Sequence, residues 1–288
     1  MQQRPFRQID VFSHHPGFGN PVAVVLDAQG LSDADMRRFA AWTNLSETTF
    51  LMPPTAAGHA AGADYRLRIF SPRGELPFAG HPTLGTCRAW LQQGHTPRIP
   101  GLVVQESAQG LVQIEHQGDT LAFAAPPLQR SKPSPALVPL VASALGLRPH
   151  QIRATQLLDN GPVWLGLLLD SAETVLGLTP DHARLKDLGQ DVGVIHIAPD
   201  AGADPERPGA VVRAFAAPMG NPEDPVTGSL NASLAQWLIE EGLAPTRYLV
   251  AQGECLGRAG RVYIRQDAQE QVWVGGHTVT CIEGTALL

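Results

Sequence analysis

The chain repeats itself. ELPFAGHPTLGTCRAWLQQG, starting at Glu75, and EDPVTGSLNASLAQWLIEEG, starting at Glu223, superpose without a gap. Glu75 falls on Glu223, Pro77 on Pro225, Gly80 on Gly228 and Gly94 on Gly242. Upstream, Arg68-Ile69-Phe70 has its echo in Arg213-Ala214-Phe215, with a slightly longer loop before the second turn. The second copy lies about half a chain downstream, so the unit is far larger than a solenoid repeat. A chain of 288 residues is long for one core and comfortable for two similar domains. The expectation is therefore a pseudo-symmetric pair, each member with a tight glycine turn feeding a helix. Two such helix N-termini sharing a cleft would suit an anion, because their first N–H groups lack intrahelical partners and carry the positive end of the dipole.

Both helices after the turns are apolar on most faces. Leu84, Cys87, Trp90 and Leu91 line the first; Leu230, Leu234, Trp237, Leu238 and Ile239 line the second. Such helices are enclosed, here inside a curved, mostly antiparallel sheet. Around them the patterning predicts strands at 8–12, 21–26, 47–52, 64–70, 162–169, 193–198 and 211–215. Helices are predicted at 33–43 behind the cap Ser32, 82–93, 139–147, 180–188 and 230–241. The proline-rich stretch PPLQRSKPSP (126–135) reads as a linker between domains spanning 1–125 and 136–288, with a strand near 280–288 returning to the first.

Composition removes several function classes. A net charge of −6 without a Lys/Arg cluster argues against nucleic acid. The longest apolar run, 162–169, is too short for a bilayer, and the N-terminal sequence has no apolar signal core. Three widely spaced cysteines, Cys87, Cys255 and Cys281, fit neither a disulfide framework nor a zinc site. All three are expected in helix or strand interiors. A reduced, cytoplasmic setting and a homodimer are the expectation. GFGNPV (17–22) lacks the third glycine of a dinucleotide fingerprint, and there is no Walker loop or GxSxG elbow. His14 and His15 lack a third ligand at metal spacing, and His277 reads as a hairpin residue. No metal and no cofactor are expected.

The chemistry is sought where the two copies differ. His81 falls opposite Ser229 and Leu76 opposite Asp224. Extending the repeat upstream, with Val22 on Val163 and Pro53 on Pro199, puts Glu47 of NLSETTF opposite Gly193, so this carboxylate has no twin. The first half then contributes Glu47 and His81, and the second Asp224 and Ser229. Splitting an acid/base set between the halves is what single-proton chemistry requires.

NLSETTF (44–50), FSPRGELPFAGHPTLGT (70–86), GNPEDPVTGS (220–229) and QGECLGRAGRVYI (252–264) together resemble the PhzF family, the phenazine-biosynthesis isomerase and its homologues. The resemblance runs from the opening strand to the closing GGHTV. It implies the diaminopimelate-epimerase fold, an α+β architecture of two domains, each a central helix wrapped by a curved sheet. It implies a cofactor-independent isomerase moving a proton on a small carboxylate-bearing, dihydroaromatic-type metabolite. In that pattern Glu47 corresponds to the general acid/base, and His81, Asp224 and Ser229 to its partners, with Gly80 and Gly228 holding the substrate. The similar epimerases carry a cysteine before each turn glycine; Ala79 and Thr227 stand there. Two alternatives remain open: a non-catalytic carboxylate-binding or sensor protein on the same fold, and an amino-acid epimerase. Gly193 opposite Glu47 argues against the second.

Overall fold

The computed structural model describes residues 2–288. The chain divides into two compact units, 1–124 with 275–288, and 125–274. Both are mixed α+β, and each is built from the same parts.

In the first unit the chain runs β1 (Gln3–Val11), β2 (Asn20–Val25), α1 (Asp33–Thr43), β3 (Thr48–Met52), α2 (Ala56–Ala60), β4 (Tyr65–Ser71), β5 (Gly74–Leu76), α3 (Gly80–Gln92), β6 (Leu102–Ser107), β7 (Gly110–Gln117) and β8 (Thr120–Ala124). Pairing follows β1–β2–β3–β4–β6–β7–β8, antiparallel except for β2–β3 and β4–β6. The last strand closes this sheet by pairing with both β1 and β8. Inside the closed sheet lies α3, buried continuously from Gly80 to Trp90. Its tight fit shows at Gly85, where a Cβ would sit 2.3 Å from Val22 Cγ1. The outer face is covered by α1, whose Met36 and Ala40 pack on Val25, Phe50 and Phe70. Ser32 caps α1 through Asp35 N, as its sequence predicts.

The second unit runs β9 (Gln129–Ser131), α4 (Leu137–Leu145), β10 (Ile152–Asp159), β11 (Val163–Leu169), α5 (Ala172–Leu176), α6 (His182–Leu188), β12 (Asp191–Ile197), β13 (Ala210–Ala216), β14 (Asn221–Asp224), α7 (Gly228–Glu240), β15 (Arg247–Gln252), β16 (Gly260–Gln266) and the start of β17 (Val272–Leu287). The parallel pairs β11–β12 and β13–β15 stand where β2–β3 and β4–β6 stand in the first unit. The enclosed helix α7 contacts β10 on one side and β16 on the other. A second apolar layer lies on the outer face, where α4 and α6 meet Leu165, Leu167, Val192, Val194 and Phe215.

Three local readings change. The proline-rich stretch 126–135 lies inside the second unit, and its Gln129–Ser131 pair with β10. The strand expected near 280–288 is the end of one long strand, β17, which passes into the first unit from Gly275. His277 is therefore a strand residue, stacked on His14 at 3.4 Å between ring centroids. Cys255 sits in a single exposed turn of 3₁₀ helix, Glu254–Leu256, and not in the interior of a long helix or a strand. Cys87 is buried in α3, and burial pushes its thiol up to about 12, so it stays protonated.

Candidate active site

The two glycine turns are held by the same device. In the first unit Arg68 forks onto Glu75 at 2.7 and 2.6 Å and lies over Phe70, 5.1 Å from its centroid. In the second, Arg213 forks onto Glu223 at 2.8 Å twice and lies 5.0 Å over Phe215. A bidentate guanidinium–carboxylate pair fixes direction as well as distance. Each fork ties a short hairpin to the strand before it and so aims the turn that opens α3 or α7. Gly80 and Gly228 are the first residues of those helices, and the residues before them, Ala79 and Thr227, make no side-chain cap.

In the first unit Glu47 and His81 meet. Glu47 is the residue before β3, anchored by its carbonyl to Ala23 N at 3.5 Å. His81 is the second residue of α3. Its Nε2 lies 3.3 Å from Glu47 Oε2, and both atoms are buried. Burial pulls the His81 imidazole down to about 3, against a hydrogen bond to the Pro21 backbone that works the other way. At neutral pH His81 is therefore an uncharged imidazole beside a carboxyl group. Full transfer of a proton from the carboxyl group to this imidazole would create a buried cation, so the pair favours an uncharged histidine that orients the carboxyl group.

In the second unit Asp224 ends β14, and its oxygens face its own turn. Thr227 Oγ1 donates to Oδ2 at 2.5 Å and Asn221 Nδ2 donates to Oδ1 at 3.1 Å. Ser229 is the second residue of α7, the place of His81 in α3. Its backbone carbonyl accepts from the buried amide of Asn160 at 2.9 Å. Each unit thus holds its own part of the expected set: Glu47, Gly80 and His81 in the first, Asp224, Gly228 and Ser229 in the second.

Strand register corrects the pairing of Glu47. Thr48 pairs with Phe70 and Ala23 pairs with Thr48. In the second unit Val192 pairs with Phe215 and Leu165 with Val192. Since Phe70 and Phe215 are equivalent, Thr48 corresponds to Val192 and Glu47 to Asp191. Gly193 corresponds to Thr49. It is a packing position, where a Cβ would come within 2.3 Å of Leu230 Cδ1, whereas Thr49 accepts from Thr86 of α3 at 2.9 Å. Side chains two apart share a face, so Asp191 points to the α7 side as Glu47 points to the α3 side. The carboxylate does have a twin. Asp191 is half-buried beside Trp164, its register partner, and burial alone pushes it up to about 6. Thr227, Asn221 and Gln252 also escaped the sequence reading; the only signal for Gln252 was its place in QGECLG.

The family model for phenazine biosynthesis-like proteins, PhzC-PhzF, matches residues 9–284. A trans-2,3-dihydro-3-hydroxyanthranilate isomerase from Pseudomonas aeruginosa is 33% identical over 97% of this chain and 98% of its own. A Schizosaccharomyces pombe protein, antisense-enhancing sequence 1, is 35% identical over the full length of both. The crystal structure of a PhzF-family protein from Bacillus anthracis superposes with a TM-score of 0.83, covering both chains completely at 22% identity. No helix among the described residues is long and apolar enough to cross a membrane. With its paired α+β units and its glycine-turn helices, the chain belongs to the PhzC-PhzF family of phenazine biosynthesis-like proteins and is an isomerase.

Proposed function

We propose that this isomerase needs no cofactor and moves a proton on a small carboxylate-bearing, dihydroaromatic-type metabolite, with Glu47 as the general acid/base. The observation that carries the reading is the buried contact between Glu47 Oε2 and an uncharged His81 Nε2. Glu47 takes a proton from one substrate carbon, holds it as the carboxylic acid and returns it to another carbon; the uncharged His81 holds the carboxyl group in place. Asp224 and Ser229 are assigned to orienting the substrate, and a helix start whose N-cap residue makes no side-chain cap offers N–H donors to a carboxylate. General acid/base transfer contributes roughly 10²–10⁴ to rate, and positioning supplies more.

The test uses trans-2,3-dihydro-3-hydroxyanthranilate, the compound in the name of the P. aeruginosa relative. Turnover in deuterated water should place deuterium on a ring carbon. Glu47→Gln, nearly isosteric and unable to accept the proton, should fold and stop the reaction. Turnover within about tenfold of the parent would remove Glu47 from the mechanism, since less would be lost than acid/base catalysis supplies.

One observation favours a second reading. Asp191 at the twin position of Glu47 supplies the second carboxylate that a two-base epimerase needs. In that case Asp191→Asn would stop exchange as completely as Glu47→Gln.

A further inference from the structure

Thr227 is the residue before α7, the position where Ser, Thr, Asp and Asn ordinarily accept from the helix's own N–H groups. It does not cap α7. Its hydroxyl turns away from the helix and donates to Asp224 Oδ2 at 2.5 Å. The direction of that bond is fixed by the next residue in line, because Gln252 Nε2 donates to Thr227 Oγ1 at 3.0 Å and a hydroxyl has one proton to give. The same amide group reaches the Asp224 carbonyl at 3.2 Å. The other end of the amide, Gln252 Oε1, accepts from Thr227 N at 3.1 Å and from Asn231 Nδ2 at 2.8 Å. Gln252 and Asn231 are each 1% exposed, so the whole network is dry.

The backbone is shaped for this contact. Gly253 adopts φ +93°, and a Cβ there would meet the Pro225 carbonyl at 2.7 Å. Gly260 faces Val226 so closely that a Cβ would sit 2.3 Å from Val226 Cγ2. The end of β15 and the start of β16 therefore lie directly against the turn 224–227.

The first unit serves as a built-in control. Where the second has Asp224, Thr227 and Asn231, the first has Leu76, Ala79 and Thr83. Val212 pairs with Gln252; the equivalent Leu67 follows Arg66, which pairs with Glu106, so the next position, Ser107, stands for Gln252. In the first unit a buried glutamine also meets the helix, Gln105 donating to Thr83 at 3.1 Å, but Leu76 and Ala79 have no polar side-chain atom, so the link from glutamine through a hydroxyl to a carboxylate belongs to the second unit. The part found in both units, a buried glutamine on the helix, serves packing, and the part found only in the second is the part that reaches Asp224.

We propose that Thr227 and Gln252 are positioning residues for Asp224. They hold its carboxylate as a fixed hydrogen-bond acceptor, with Asn221 on the other oxygen, at the cost of leaving α7 without its cap. The proposal rests on the reading that Asp224 works on substrate. It leaves Glu47 as the group that carries the mobile proton.

Thr227→Val keeps the shape of the side chain and removes the hydroxyl; Thr227→Ser keeps the hydroxyl. With trans-2,3-dihydro-3-hydroxyanthranilate as probe, Thr227→Val should lower kcat about 10- to 100-fold with KM changed less than about threefold, and Thr227→Ser should restore it. A purely structural role would not be rescued through kcat at unchanged melting temperature. Thr227→Val at parental kcat beside an inactive Asp224→Asn would overturn this proposal and spare the role of Asp224. A fully active Asp224→Asn would overturn that role, and the proposal with it. Crystal structures of Thr227→Val and Gln252→Glu give an answer independent of turnover. The Asp224 carboxylate should leave its place while α7 stays; an unmoved carboxylate in both variants would refute positioning.

Discussion

At the strand position where the first unit carries Glu47, the second carries Asp191, and the two carboxyl groups have been given different company. Glu47 faces His81, an imidazole kept uncharged by burial. Asp191 lies beside a buried Trp164, its register partner, and the enclosed helix of its unit carries Ser229 where α3 carries His81. Conversely, the second turn carries Asp224 with a dry polar network, and the first carries Leu76 and Ala79. One backbone plan thus carries a buried carboxyl–imidazole contact in one copy and a hydrogen-bonded carboxylate in the other. The scaffold residues that place both turns, the Arg–Glu–Phe sets, are unchanged. What differs is the side chain at the helix start and the groups that support it.

The scaffold is the first place to press on the comparison. The fork of Arg213 and Glu223 has side chains 6% and 7% exposed, whereas those of Arg68 and Glu75 are 16% and 35% exposed. Arg213→Met should cost about 3–5 kcal/mol, because Glu223 is left buried without its partner. Arg68→Met should cost about 1 kcal/mol or less. Urea unfolding of both variants checks this, and equal losses would mean that the forks are not graded by burial.

Gly193 and Thr49 give a smaller contrast at equivalent positions. Gly193→Ala should cost about 1–3 kcal/mol, since Leu230 must move to admit a methyl group. Thr49→Ala loses one buried hydrogen bond, worth about 1 kcal/mol. Denaturant midpoints compare the two directly.

The pH dependence of stability should carry opposite signs from the two halves. His81 titrates near 6.5 when unfolded and about 3 when folded. The folded state resists protonation, so this contribution is complete above pH 6.5 and is lost as pH falls toward 3, by at most about 1.4 kcal/mol per pH unit. His81→Asn should flatten that limb. Asp191 moves from 3.8 to about 6 on folding. Its contribution is present below pH 3.8 and is lost as pH rises through 6, a smaller effect because the group is partly solvated. Asp191→Asn should remove it. Melting curves from pH 4 to 8 read both limbs; a parent whose limb below 6.5 survives His81→Asn would contradict the burial of a neutral imidazole.

The sequence shows the repeat, the enclosed helices and the α+β class, because glycine turns and all-round apolar helices are written in short contiguous stretches. Glu47, His81, Asp224 and Ser229 can be singled out as candidates for the same reason: each lies in or beside such a stretch. The twin of Glu47 was missed by two residues. Matching Pro53 with Pro199 aligns two coil residues, while the true register is set by pairing with Phe70 and Phe215 across the sheet. Gln252 was invisible as a partner of Asp224, because 28 residues separate them and only the parallel pairing of β13 with β15 brings the strand end to the turn. His277 reads as a hairpin residue in the sequence, yet it lies within a strand whose Gly275 is pressed against Leu121 and Ala122.

The central claim is that the two equivalent carboxyl groups have unequal roles. Hydrogen exchange between trans-2,3-dihydro-3-hydroxyanthranilate and deuterated water, followed by NMR with Glu47→Gln and Asp191→Asn side by side, tests it most directly. Exchange should vanish in Glu47→Gln, a loss of about 10²-fold or more, and persist in Asp191→Asn within about tenfold of the parent. Loss of exchange in both variants, or its survival in Glu47→Gln, would contradict the account.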